Sequence, residues 1–334
     1  METAGGAFGS FAAVAERQPG RYGHKPFLTW YDDARGERVE LSFKTFDNWV
    51  AKVANLLVGE LGAGPGDRVA AVLVDHWQAA VVLAACWRAG AGVVAVEPGA
   101  GRAAVVAALD GAVAAFVREE WVAQAAATAG GGTTLVALTA DLAGRSEHDL
   151  GAALSFARVV PSMGDLFTGD VDPEGEAFRV VPAARAAGAE AVAATAGQAG
   201  AAGGEAATMA GLLGEAARLV QRTGLGDGDR TLSGRGLLSP GGAVAGLLAP
   251  FGAGAGVVLA RAFEPARLWR LVADERVTVA ALTPDQAEAL AAAGPPPADL
   301  DRSRLRLLAC EAGPGTEELR AALRERLGVG LADA

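Results

Sequence analysis

The chain has 334 residues, and this length exceeds what one compact core usually holds, so the sequence predicts two lobes. Its hydrophobic fraction of 51% and charged fraction of 20% exclude a disordered chain. The formal net charge is −10 and the Lys and Arg residues form no cluster, which excludes a surface built to displace counterions from nucleic acid.

The cysteines, the N-terminus and the apolar runs restrict the class of protein further. Cys86 and Cys310 are the only cysteines and have apolar neighbours, so neither a disulfide framework nor a metal site is expected. The first residues, METAGGAFGSF, lack the cationic and apolar regions of a secretory signal. The longest apolar run, 79–87, is much shorter than the about 18 residues that a membrane span needs. We therefore expect a cytoplasmic protein without membrane contact.

The chain opens with a short predicted helix at 8–16 and two extended runs at 26–31 and 37–41. Aspartates and a glycine separate these runs, which predicts a hairpin turn. Ser42 then stands at an N-cap position, and apolar residues recur at helical spacing until Gly62 ends the predicted helix.

Two series of alternating strands and helices follow. The first has predicted strands at 68–74, 93–96, 112–117 and 133–138, with helices at 76–89, 102–109 and up to about 127. The second has strands up to 195 and at 230–233, 256–260, 277–280 and 305–309, with helices at 206–223, near 244 and at 263–274, 284–292 and 316–327. Alternation of this kind predicts parallel sheets with covered faces. The mixed, turn-rich stretch 139–182 is expected to contain the crossover between the lobes.

The sequence from 27 to 98 resembles a known superfamily. The segments LTWYDDARGERVELSFKTFDNWVAKVANLL and GAGPGDRVAAVLVDHWQAAVVLAACWRAGAGVVAVEP are similar to the start of adenylate-forming enzymes, which include acyl-CoA synthetases, luciferases and peptide-synthetase adenylation domains. The segment Asp75-His76-Trp77-Gln78 resembles a small bacterial family of shorter, degenerate relatives.

The resemblance implies a fold of two stacked α/β lobes with mostly parallel sheets, like the large N-terminal domain of these enzymes. It places 63–188 in a first lobe and 8–62 plus 189–331 in a second, so that the opening hairpin packs with the second series of strands. The alternative is that the hairpin packs with its neighbours in sequence. We expect the small C-terminal domain of the superfamily, with its catalytic lysine, to be absent.

The superfamily cradles ATP phosphates with a strand-loop-helix of the form T-S-G-T-T-G-x-P-K-G. The matching place here runs from 195 to 204, where alanines and a glutamine replace hydroxyl residues and Gly203 stands at the lysine position. Hydroxyls and a cation are what such a loop offers to phosphate besides its backbone N–H groups. The resemblance thus implies a vestigial nucleotide-binding loop that retains Thr195, Gly197, Gln198, Gly200 and Gly204.

Other residues at strand ends are candidates for a pocket. Asp75, His76 and Trp77 follow a predicted strand and open a helix, where α/β sheets bind ligands; the alternative is that Asp75 caps the helix and Trp77 packs between the lobes. Cys310 and Glu311 stand where the superfamily has a substrate-pocket loop, with a buried structural thiol as the alternative.

The resemblance and the degraded loop together favour a non-catalytic relative of AMP-forming acyl ligases, with no catalytic residue and no required cofactor. Such a protein could bind ATP or AMP weakly, or another small nucleotide or acyl ligand, in a regulatory or interaction role; no protein partner can be named. Two alternatives stay open. One is an ATP-dependent acid ligase that uses an atypical loop or a C-terminal domain from a partner. The other is a structural remnant that binds no ligand.

Overall fold

A computed structural model describes residues 8–96, 99–139, 141, 144–169, 171–173, 175–182, 206–260, 262–294, 296–310, 323 and 330–333. Its strands are β1 (Pro26–Asp32), β2 (Glu37–Ser42), β3 (Arg68–Val72), β4 (Gly92–Val96), β5 (Ala114–Arg118), β6 (Thr134–Leu138), β7 (Leu154–Ser155), β8 (Glu176–Val181), β9 (Ala206–Thr208), β10 (Arg230–Ser233), β11 (Gly256–Ala260), β12 (Val279–Leu282), β13 (Leu307–Cys310) and β14 (Gly330–Asp333).

The helices are α1 (Phe11–Tyr22), α2 (Phe43–Asn55), α3 (Trp77–Arg88), α4 (Arg102–Leu109), α5 (Val122–Ala126), α6 (Phe156–Val159), α7 (Met209–Thr223), α8 (Pro240–Ala243), α9 (Ala249–Ala253), α10 (Pro265–Asp274) and α11 (Pro284–Ala292). A π-helical turn, Leu56–Glu60, extends α2, and a second one, Val244–Leu248, joins α8 to α9. Within the described ranges, no helix is both long and apolar enough to cross a bilayer.

The strands form two sheets of seven. Sheet I has the order β7-β6-β5-β3-β4-β8-β9, and sheet II has the order β14-β13-β12-β10-β11-β1-β2. Their strand pairs are parallel except for β1 with β2 and β8 with β9. The predicted α/β fold with mostly parallel sheets is confirmed.

The opening hairpin belongs to sheet II. Strand β1 pairs in parallel with β11, with Leu28 opposite Val257, and in antiparallel with β2. The hairpin therefore pairs with the second series of strands, as the resemblance implied, and not with its neighbours in sequence. Residues 206–208, which the sequence predicted as the start of a helix, form β9 on the edge of sheet I instead. The helix begins at Met209 because Thr208 provides its cap.

One large core lies between the two sheets. It contains the inner faces of both sheets and helices α1, α2, α3, α7 and α9. All 12 residues of α3 are buried, as expected for a helix that is apolar around its whole circumference. Smaller cores lie under α4 and α5 on the outer face of sheet I, and under α10 and α11 on the outer face of sheet II. The molecule is thus layered as helix, sheet, helix, sheet, helix.

Candidate functional site

A cleft of about 740 Å³ opens beside α7 and the loop that follows β10. This volume lies within the usual range for small-molecule sites. The described residues that line the cleft come from four places, namely β9, α7, the segment 235–244 and the end of β12: Ala206, Ala207, Thr208, Gly211, Leu212, Glu215, Arg218, Leu219, Arg222, Arg235, Gly236, Ser239, Pro240, Gly241, Val244 and Thr283.

Helix α7 forms one wall of the cleft. It begins where the Gly211 N–H donates to the Thr208 hydroxyl at 3.1 Å, and it ends at Gly224, which adopts a left-handed φ of 61°. The apolar stripe of the helix packs into the core between the sheets, so a polar stripe faces the cleft. Arg218 and Glu215 form an ion pair on that stripe, with the Arg218 Nε 3.2 Å from a Glu215 carboxylate oxygen.

The loop after β10 forms the opposing wall, and hydrogen bonds fix its backbone. The Gly234 N–H donates to the Ala281 carbonyl at 2.9 Å, and the Gln286 side-chain amide donates to the Gly234 carbonyl at 2.6 Å. The Ser233 hydroxyl donates to the carbonyl of Arg235 at 3.2 Å. Arg235 lines the cleft although it is only 9% exposed.

Asp75 connects this wall to the other lobe. It follows β3 of sheet I, and its carboxylate accepts a hydrogen bond from the Leu237 N–H at 2.7 Å, while the Trp30 indole donates to its main-chain carbonyl at 3.1 Å. Gly236 allows this approach, because a Cβ at that position would lie 3.1 Å from the carboxylate. Burial raises the pKa of Asp75, and the hydrogen bond from Leu237 opposes this shift.

His76, and not Asp75, caps α3. The His76 Nδ1 accepts from the Gln78 N–H at 3.2 Å, so the alternative assignment of Asp75 as the cap is wrong. A ring nitrogen that accepts carries no proton, so the neutral ring has its proton on Nε2. The ring lies against Trp30, with centroids 4.2 Å apart, and against Trp77 at 5.7 Å.

Trp77 lies in an aromatic cluster between the sheets. Its ring is 5.4 Å from that of Trp49, which stacks on Phe156 at 6.1 Å. Among the described residues, neither Trp77 nor His76 contributes to the walls of the cleft. The geometry agrees with the packing alternative for Trp77, and the binding role of both residues stays a prediction.

Cys310 lies near the cleft but one strand away from it. It is buried at the end of β13, opposite Leu282 of β12, and Thr283, which follows Leu282, lines the cleft. The vestigial loop residues and Glu311 lie outside the described residues, namely Thr195, Gly197, Gln198, Gly200, Gly204 and Glu311. Their roles stay predictions. Among the residues that the structure describes, no group of three potential metal ligands is found.

Sequence reasoning missed the arginines of the cleft. Arg218 and Arg222 are four residues apart on one helix, a spacing that could have marked a cationic stripe. Arg235 stands between two glycines in an irregular loop, and no motif points to it. Residues that follow the carboxyl ends of β10 and β12 line the cleft, which is the edge where α/β folds bind ligands.

Comparison with known proteins agrees with this architecture. The family model of the AMP-binding enzymes matches residues 15–333. The chain belongs to this family. A protein of Mycobacterium tuberculosis is 58% identical over 66 residues, which are 20% of this chain and 27% of that protein.

Solved structures show the same fold. An acyl-CoA synthetase from Brucella canis has a TM-score of 0.75 at 19% identity, covering 95% of this chain and 56% of its own. An anthranilate CoA ligase in complex with anthranoyl-AMP has a TM-score of 0.75 at 19% identity, covering 96% of this chain and 58% of its own. Acetoacetyl-CoA synthetase from Streptomyces lividans has a TM-score of 0.77 at 19% identity, and the match covers 97% of this chain and 51% of the synthetase. The chain thus has the fold of the N-terminal domain of adenylate-forming enzymes and spans between half and three fifths of these three proteins.

Proposed function

We propose that this chain binds a nucleotide or an acyl group in the cleft beside α7 and does not by itself form an acyl-adenylate. The observation that carries the proposal is a cleft after the carboxyl ends of β10 and β12, combined with a phosphate-loop segment that departs from the family pattern. The cleft is large enough for a small ligand, and the segment 195–204 has neither the lysine nor most of the hydroxyls of the family pattern.

The magnitude of these losses supports binding without catalysis. One preorganised donor to developing charge contributes roughly 3–4 kcal/mol to catalysis. Loss of two or three such contacts, even without full additivity, slows the chemical step by a factor on the order of 10⁴ or more. Binding of the ground state depends less on these groups, because apolar and backbone contacts also hold a ligand. A weak regulatory or interaction role therefore fits the site better than turnover.

Thermal unfolding tests the proposal. A ligand that binds only the folded state raises the free energy of unfolding, by about 2.7 kcal/mol at a ligand concentration of one hundred times the Kd, and so raises the melting temperature. We expect a rise with AMP, ATP or a non-hydrolysable acyl-adenylate mimic at millimolar concentrations. If none of them changes the melting temperature, the chain is the structural remnant and the proposal fails.

The second candidate function is an ATP-dependent acid ligase. Family membership favours it, and the solved neighbours include an anthranilate CoA ligase that holds anthranoyl-AMP. It predicts exchange of pyrophosphate into ATP that depends on an added carboxylic acid, measured with the chain alone and with candidate C-terminal domains. Acid-dependent exchange would replace the binding proposal, and its absence in both assays would exclude the ligase.

A further inference from the structure

The cleft beside α7 differs in charge from the molecule as a whole. The described residues of its walls include three arginines and one glutamate, whereas the chain has a formal net charge of −10. A cavity with low-dielectric walls concentrates the field of such groups and raises the local concentration of anions. The charge of the cleft therefore favours an anionic ligand.

The arginines reach the cleft from two separate elements. Gly211, Glu215, Arg218 and Arg222 form one stripe along α7, since residues three and four apart share a helix face. Arg235 comes from the loop after β10 on the other side. An anion bound in the cleft would therefore meet arginines from two separate elements of the fold.

The loop that carries Arg235 is preorganised. The Ser233 hydroxyl holds the Arg235 carbonyl, and the Asp75 carboxylate holds the N–H of Leu237 two residues later. The Ser239 hydroxyl donates to the Gly236 carbonyl at 3.0 Å. A guanidinium on a fixed loop loses little freedom when it binds, which is the condition for a selective contact.

We propose that Arg218, Arg222 and Arg235 form an anion subsite that holds the charged end of the ligand. The planar guanidinium matches the oxygens of phosphate and carboxylate groups, so the shared chemistry is an oxyanion. Leu212 and Leu219 line the same cleft and offer apolar contact to the uncharged part of the ligand. This inference rests on the proposed function and assigns the residues that recognise charge in it.

Binding of paired probes to the full chain tests the subsite. AMP and adenosine differ by the phosphate, and succinate and butyramide differ by ionised carboxylates, so the two pairs distinguish a phosphate source from a carboxylate source. We expect the anionic member of at least one pair to bind about tenfold or more tightly than its neutral partner. This preference should decrease as ionic strength rises, because salt screens the arginines.

Arginine variants locate the effect. Arg222→Gln and Arg235→Met should each reduce the preference for the anion by about tenfold, and Arg235→Lys should restore part of it. Arg270→Gln is the matched control, because Arg270 is an exposed arginine on another helix, α10, on the outer face of sheet II. It should leave the preference unchanged. Because Arg222 is exposed, its variant tests the subsite even where Arg235→Met fails to fold.

The outcomes separate the subsite from the proposed function. Equal binding of the two members within both pairs, AMP with adenosine and succinate with butyramide, would overturn the subsite while ligand binding stands. A preference for the anion that Arg270→Gln reduces as much as Arg222→Gln would also overturn it, since the effect would then follow net charge. No binding by any of the four probes would overturn the subsite, and an unchanged melting temperature with ATP and the acyl-adenylate mimic as well would overturn the proposed function too.

Discussion

At Gly242, the addition of a single methyl group should disturb the wall of the cleft. It lies in α8, and a Cβ built on it would lie 1.7 Å from the carbonyl oxygen of Gly236 and 2.5 Å from the carbonyl carbon. Gly236 belongs to the loop between β10 and α8 and lines the cleft. The contact is with backbone, so no side chain can rotate away to relieve it.

The structure allows an estimate of the cost of Gly242→Ala. The Gly236 carbonyl would have to retreat by more than 1 Å to reach ordinary van der Waals distance, which is about 3.4 Å between such atoms. That carbonyl accepts from the Ser239 hydroxyl, and the next N–H, of Leu237, is bound to Asp75. We expect a loss of about 3 kcal/mol in the free energy of unfolding, at the upper end of the range for overpacking.

Urea denaturation followed by tryptophan fluorescence measures this loss. Gly214→Ala is the matched control, because it lies inside α7 and its added Cβ would be 3.8 Å from the Arg218 guanidinium, which is ordinary contact. The control should gain about 0.5–1 kcal/mol, since alanine loses less backbone entropy in a helix than glycine does. A Gly242→Ala protein as stable as the parent, with an unchanged denaturant slope, would refute the close approach of α8 to the loop.

Three other sites give sharp expectations. Asp75→Ala leaves the Leu237 N–H without its acceptor and should lower the free energy of unfolding by about 1–3 kcal/mol. Asp75→Asn keeps an acceptor oxygen and should lower it by less than about 1 kcal/mol. Equal losses for the two variants in urea denaturation would contradict this role of the hydrogen bond. Burial raises the pKa of Asp75 above its ordinary value of 3.8, so the folded state keeps this proton to a higher pH than the unfolded state does. The free energy of unfolding of the wild type, relative to that of Asp75→Asn, should therefore fall as the pH rises through the folded pKa. If it rises instead, the pKa of Asp75 is lowered by folding and not raised. Gly254 has a φ of 73°, and a Cβ added to it would lie 2.2 Å from the Tyr22 ring. Gly254→Ala should therefore lower the free energy of unfolding by about 2 kcal/mol and with it the melting temperature. An unchanged melting temperature would disprove the packing of Tyr22 on Gly254. Cys86 is fully buried and burial raises the pKa of its thiol, so a thiol reagent should modify it only as the protein unfolds; rapid labelling of the native chain would show the opposite.

Most of the regular structure could be predicted from local patterns. The hairpin strands, the five-residue strands of sheet I and helices α2, α3 and α10 lie within a few residues of their predicted bounds. These elements have apolar residues at the period of a strand or a helix, so their sequence alone indicates their type. The short strand Ala206–Thr208 was missed, because its pairing with β8 comes from residues nearly 30 positions earlier.

The candidate site was predictable only in part. Asp75 was singled out because it ends a strand, and the structure shows that its carboxylate reaches the loop of the cleft. The prediction could not include Leu237, since the hydrogen bond joins residues 162 positions apart. The residue that caps α3 could not be predicted either. The backbone at His76, with φ −151° and ψ 152°, decides which side chain reaches the N–H groups of the first helical turn.

The amino-acid sequence by itself determined the type of most elements and the family to which the chain belongs, because apolar periodicity and local motifs are properties of neighbouring residues. The tertiary structure decided which sheet the opening hairpin joins, that α7 and the loop after β10 line one cleft, and that Arg218, Arg222 and Arg235 lie in its walls. These features depend on contacts between distant parts of the chain, whose positions are set only when the two sheets close on their shared core.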